Sequence, residues 1–399
     1  MATKSTYKLI FFLVLVLAVT CISGSLKNVQ FASGADEGYY FQYASYIGQN
    51  GLQGFAGLFK EYTQNQQHWL FPNPLRIGFI ILSSLWLKAF GYSFINLAYL
   101  SLFCYLLFLG VSYYFSRKYL GENLALLFVI LLAFSPLQMA MARRALIESA
   151  VILFLSLAVW LFWDFLKSRS RLKFALFIAA YSLSILIKET SVLLTLVFLS
   201  FLIVDKLVCK KEFNFKEFAA ILFLPFICVG LVYLVLGCLP YMPSAIKIIL
   251  NSPQANTYAL LFGSGPWYRY LIDYALLSPW VVILTISFIF CYFVNKETDD
   301  LPLYFIIVFL VNFILFDIFT KNLRYVIILD IPMRLFSVLM LQKIARRITW
   351  RYAIPLACML VIGIALSDYF NFRHLFVQVG IYDPVSFLLL QAKHIIPHN

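Results

Sequence analysis

Asp36 and Glu37 are adjacent carboxylates just beyond the first apolar segment of the chain. A carboxylate in such a place can take a proton from an attacking hydroxyl or amine. Farther on, charged residues recur beside apolar runs: Arg143 and Arg144 with Glu148, Lys188 with Glu189, and Asp317 with Lys321, Arg324 and Tyr325. Arg and Lys can hold a phosphate and stabilise the negative charge that grows on it as it leaves. One base with several cations at the edge of lipid suits transfer of a group off a lipid phosphate. Each set also has a plain structural reading. Asp36-Glu37 alone is an ordinary solvated loop pair. Arg144 and Glu148, Asp317 and Lys321, and Asp330 and Arg334 are each four apart, the spacing of helical ion pairs, and the last of these reads as structural. Lys188 has the option of reaching to the membrane interface.

The elements that position these residues are membrane helices. Hydrophobic residues make up 63% of the 399 and charged residues 12%, whereas a soluble domain is nearer half apolar and a quarter charged. The net charge of +13 is then no nucleic-acid signal, because Lys and Arg of a polytopic protein collect on cytoplasmic loops. The seven cysteines are scattered without metal spacing. No P-loop, GxGxxG or HExxH is present. No cofactor is implied, and the sequence neither requires nor excludes a divalent cation.

Apolar runs predict eleven spans, starting at Leu9, Phe94, Leu124, Ser149, Phe174, Thr190, Phe218, Ser278, Leu301, Tyr325 and Tyr352. The first, Leu9 to Leu26, reads as an uncleaved helix, with a cleaved signal peptide as the alternative. Ile77 to Phe90 is short and reads as interfacial or re-entrant. Gln138 to Glu148 reads as a short polar loop. This pattern puts basic clusters such as Lys167–Lys173, Lys206–Lys216 and Lys343–Arg351 inside, together with the N-terminus. A span at Ile77–Phe90 would invert it. The loops 27–91 and 239–277, the tail 368–399 (amphipathic) and the polar groups named above, apart from Asp330 and Arg334 near or within a span, then lie on the outer face. Residues 1–367 form the transmembrane domain.

In this order the motifs resemble those of the GT-C fold, integral-membrane glycosyltransferases that use polyprenyl-phosphate sugars, and most of all the protein O-mannosyltransferase and lipid A aminoarabinose transferase group. The resemblance rests on Asp36-Glu37 after the first span, Pro72-Asn73-Pro74-Leu75-Arg76 with its following helix, and Ser135-Pro136 followed by Arg143 to Glu148. It continues in Leu186-Ile187-Lys188-Glu189-Thr190, Gly265-Pro266-Trp267-Tyr268 through Pro279, and Arg324-Tyr325 with Pro332 downstream. The family's Pro-Pro-Leu-Gly element reads Asn-Pro-Leu-Arg here, Glu148 stands where many relatives have Asp, and large soluble lumenal domains are missing.

The resemblance implies an all-α, polytopic helix bundle and an inverting glycosyltransferase that is metal-independent in the closest groups. Asp36 is expected to be the general base, with Glu37 and Glu148 assisting. Arg143, Arg144, Lys188, Lys321 and Arg324 are expected to hold the donor phosphate. Tyr39, Tyr40, His68, Arg76 and Tyr325 are expected to line the sugar and acceptor surface. Expected partners are an undecaprenyl- or dolichyl-phosphate sugar, a lipid, glycan or protein acceptor and membrane lipid, with no nucleic acid. A lipid-linked oligosaccharide flippase and a surface-glycan polymerase or ligase are the alternatives.

Overall fold

The computed structural model describes residues 4–26, 29, 31, 35–69, 72–209, 215–255, 263, 265–319 and 321–380. Expectations that fall on part of the loop 27–91, on Lys210 and Lys211, on part of 239–277 and on 381–399 lie outside the described residues. All regular structure among the described residues is helical. The helices are α1 (Lys4–Leu26), α2 (Asp36–Asn50), α3 (Gly54–Gln64), α4 (Ile77–Phe90), α5 (Phe94–Leu120), α6 (Glu122–Ala133), α7 (Pro136–Ala142), α8 (Glu148–Ser168) and α9 (Arg171–Ile187). They continue with α10 (Leu194–Cys209), α11 (Phe215–Val235), α12 (Met242–Ala255), α13 (Arg269–Leu277), α14 (Pro279–Val294), α15 (Asp300–Ile318), α16 (Asp330–Ile348) and α17 (Ala353–Phe372).

Eight helical segments are long and apolar enough to cross a membrane, and the pair α6–α7, bent by 61°, makes a ninth if taken as one span. The eleven expected spans comprise these together with α9 and α14, which are shorter, at 17 and 16 residues. Two local expectations are corrected. The stretch from Gln138 is not a polar loop: Pro136 to Ala142 is a buried helix. Ser135 caps it by accepting from the Gln138 N–H, and Pro136 takes the first helical position, where no N–H is needed. The last span also does not stop at Leu366, because helix continues to Phe372 and a π-turn follows to Gln378.

The chain forms two compact units. The first comprises residues 1–28, 106–143 and 262–399, and the second 29–105 and 144–261. In the first, α6 packs against α1, α16 and α17, and α14 packs on α16. Gly121, at φ 84°, makes the one-residue turn from α5 to α6. A fully buried ionic knot ties these helices. Arg334 on α16 reaches Asp330 and Asp368, each at 2.8 Å, and donates to the Leu131 carbonyl at 2.7 Å and the Ser278 hydroxyl at 3.1 Å. Ser135, at the bend between α6 and α7, donates to Asp330.

In the second unit, α8 and α9 form an antiparallel hairpin turned by Arg169 in the left-handed conformation. Its seam is aromatic: Phe162 lies 5.1 Å from Phe177, and Phe198 of α10 packs against both, at 4.5 and 5.0 Å. Such pairs contribute about 1 kcal/mol each beyond their area. In lipid, close packing of this kind does what hydrophobic burial does in water. Helix α4 wedges between α2 and α9. Its buried face is Ile77, Ile80, Ser84 and Leu87, a helical stripe. Gly78 meets the backbone of Leu186, where an added Cβ would stand 3.0 Å from the carbonyl carbon.

Candidate active site

The second unit gathers a set of charged groups where α2, α4, α8 and α9 begin or end. Ala35 is extended, and Asp36 and Glu37 occupy the first turn of α2. Carboxylates are favoured there by the free N–H groups and the positive end of the helix dipole. Glu37 is buried. Arg144 closes a fork on it, Nε to Oε1 at 2.5 Å and Nη2 to Oε2 at 2.6 Å, and the Ala145 N–H donates to Oε1 at 3.2 Å. This pair fixes the start of α2 to the segment before α8. Asp36 is half-buried and shares a helix face with Tyr40, four residues on.

Tyr40 is the centre of the cluster. The Arg76 Nη1 donates to its hydroxyl. Arg76 also forks onto Glu189, Nε to Oε2 at 3.2 Å and Nη2 to Oε1 at 3.1 Å, and Asn73 Nδ2 donates to the same carboxylate at 3.0 Å. Burial holds the Tyr40 hydroxyl well above its ordinary pKa; Arg76 pulls the other way, and Asp36, Glu148 and Glu189 add to the rise. Tyr40 therefore keeps its proton. Burial works against the charge on Arg76, but Glu189 outweighs it, and Tyr40 and Asp36 act in the same direction.

The Pro72–Arg76 segment is bolted from several sides. Tyr43 donates to the Pro72 carbonyl at 3.0 Å, Tyr233 to the Leu75 carbonyl at 2.7 Å, and the Leu75 N–H to Asn73 Oδ1 at 3.1 Å. Prolines at 72 and 74 restrict the backbone between them, so Asn73 and Arg76 are presented rigidly. Glu148 opens α8 and meets Lys188, the extended residue after α9, at 3.6 Å. Both side chains are buried. Tyr181 pins the turn after Lys188 through Thr195 and the Val192 carbonyl.

The structure thus brings Asp36, Glu37, Arg144, Glu148, Lys188, Tyr40 and Arg76 into one cluster within the second unit. Sequence reasoning passed over Asn73 and gave Glu189 no role. Asn73 stood in a motif read for its prolines and Arg76, and Glu189 stood beside the lysine that drew attention. Tyr39 is half-buried with its ring 6.4 Å from Tyr43. His68 sits in a 3-10 turn after α3 and faces Glu61 at 3.6 Å. Among the described residues, no three His, Cys, Asp or Glu side chains are placed to hold a metal ion.

The other expected residues lie in the first unit. The Arg143 guanidinium donates to the Phe376 and Ser25 carbonyls at 2.9 and 3.0 Å. The Lys321 ammonium lies 2.6 Å from Asp317 and donates to the Gly265 and Pro266 carbonyls at 2.6 and 3.0 Å. Both cations hold backbone in place. Arg324 and Tyr325 are half-buried on the 3-10 segment Leu323–Leu329.

Comparison with known proteins agrees with this architecture. Residues 74–235 match the sequence profile of the family described as dolichyl-phosphate-mannose-protein mannosyltransferase. ArnT from Cupriavidus metallidurans, solved bound to undecaprenyl phosphate, is similar in fold, with a TM-score of 0.59 and 13% identity over 91% of this chain and 76% of that one. The oligosaccharyltransferase of Archaeoglobus fulgidus, solved with Zn and sulfate, superposes with a TM-score of 0.64 and 14% identity over 92% of this chain. This chain covers 52% of that protein's length. No curated protein sequence matches. What the two structures share with this chain is the fold, a multi-pass membrane arrangement of helices. The family match covers less than half of the chain.

Proposed function

We propose that this chain transfers a sugar from a polyprenyl-phosphate donor to an acceptor on the extracytoplasmic face, with inversion at the anomeric carbon. The observation that carries the reading is the placement of Asp36: a half-buried carboxylate in the first turn of α2, one helical turn from the Tyr40 hydroxyl that Arg76 holds. Asp36 takes the proton of the acceptor hydroxyl or amine. The freed electron pair forms the new bond to the anomeric carbon. The bond from that carbon to the phosphate oxygen breaks, and its electrons leave with the polyprenyl phosphate. Tyr40, which keeps its proton, is a donor beside the base. The undecaprenyl phosphate bound in the ArnT structure supports the donor class.

Charge distribution supports the outer face. In the second unit the cluster lies at the starts of α8 and α10 and the end of α9, while Lys167, Arg171, Lys173 and Lys206 lie at their opposite ends. Basic residues mark the cytoplasmic side. The test is donor turnover. Purified protein in nanodiscs is offered dolichyl-phosphate mannose, undecaprenyl-phosphate aminoarabinose and further polyprenyl-phosphate monosaccharides labelled in the sugar, with a membrane extract as acceptor. Loss of label from one lipid supports the reading and names the sugar. No turnover across the panel refutes it and favours the flippase or the polymerase.

A further inference from the structure

Arg76 stands in a rigid turn, is held at two nitrogens by Glu189 and bonds through a third to Tyr40. Tyr40 lies one helical turn from Asp36 on the same face of α2. No acceptor or donor contact is needed to account for Arg76; its bonds point inward, to the groups around Asp36. We propose that Arg76 is a positioning residue for Asp36, acting through Tyr40 and through its own charge, with Glu189 and Asn73 as its anchor.

This inference rests on the reading of Asp36 as the base. Around the first turn of α2, the charged groups are Arg144 and Glu148 from the α8 side, Lys188 and Glu189 from the junction after α9, and Arg76 from before α4. Arg144 pairs with Glu37, Lys188 with Glu148 and Arg76 with Glu189, and Arg76 also bonds to Tyr40. The Asp36 charge is felt at both Arg76 and Tyr40. A cation near a carboxylate favours its ionised form. Removal of the cation therefore raises the pKa of Asp36, and the acid limb of the rate profile moves to higher pH. Removal of the Glu189 charge acts in the opposite sense, because a negative neighbour of Asp36 is lost.

The test is the pH dependence of kcat/KM for wild type, Arg76→Gln, Arg76→Lys, Glu189→Gln and Asp36→Asn, using the donor that the panel identifies. The inference predicts an acid limb about one unit higher in Arg76→Gln, a limb near wild type in Arg76→Lys, and a limb unmoved or lower in Glu189→Gln. If Arg76→Gln turns over with the wild-type limb, or both Arg76 variants lose activity alike at every pH, Arg76 is structural and the inference falls. In that case an inactive Asp36→Asn leaves the assignment of the base standing. An active Asp36→Asn overturns the assignment of the base itself.

Discussion

Glu37 and Arg144 lie 107 residues apart in the chain and meet as a two-bonded ion pair, at 2.5 and 2.6 Å, with Glu37 buried and Arg144 largely covered. Removal of one partner leaves the other charged and buried, which costs about 3–5 kcal/mol. Glu37→Ala and Arg144→Ala are each expected to lower the midpoint of thermal unfolding in detergent. The double variant is expected to be less destabilised than the sum, because the stranded charge is gone. Additive losses would show that the pair does not couple.

Glu148 and Lys188 are farther apart, at 3.6 Å, and both are buried. Lys188→Met leaves Glu148 without its cation at the start of α8 and is expected to reduce donor turnover by at least tenfold. Lys188→Arg keeps the charge and is expected to retain more activity. Turnover by labelled-lipid assay, set beside the melting curve of each variant, checks this.

Gly78 has a geometric role. A Cβ there meets the Leu186 backbone at 3.0 Å, and backbone yields less readily than a side-chain tip. Gly78→Ala is expected to cost about 1–3 kcal/mol and to push α4 from the end of α9, where Lys188 and Glu189 follow. Reduced thermal stability together with reduced turnover is the expected result, and Gly110→Ala, where no atom lies within 4 Å of the added carbon, is the control.

Arg334 holds Asp330 and Asp368 in the interior of the first unit. Arg334→Met strands two carboxylates and is expected to abolish recovery of folded protein or to lower its midpoint sharply. Arg334→Met with Asp330→Asn and Asp368→Asn removes the stranded charges and is expected to recover part of the loss. Size-exclusion profiles and melting curves read both.

Local patterns carried most of the fold. Apolar runs marked the membrane helices, and the Ser135-Pro136 pair marked the α6–α7 bend, although the helix beyond it looked like a loop because Gln138, Arg143 and Arg144 made the stretch look polar. The site was legible in its residue types but not in its pairings. Asp317 and Lys321 do pair at the helical spacing, at 2.6 Å. Arg144 stands at the same spacing from Glu148, but the two do not share a helix: Glu148 opens a new one, and Arg144 lies before it and turns to Glu37. Arg76 and Glu189 are 113 residues apart, and no local period announces a partner at that distance. Their meeting depends on how α4 packs on α9, which the sequence specifies only through shape, as at Gly78.

The most direct measurement compares donor turnover by wild type, Asp36→Asn and Asp36→Glu at matched folded fraction, with release of labelled sugar from the polyprenyl phosphate as the readout. Asparagine keeps the size of the side chain but cannot take a proton. Loss of a positioned general base costs about 10²–10⁴-fold. The account predicts a loss in that range for Asp36→Asn, partial activity for Asp36→Glu, and unchanged melting curves. Wild-type turnover by Asp36→Asn would contradict it.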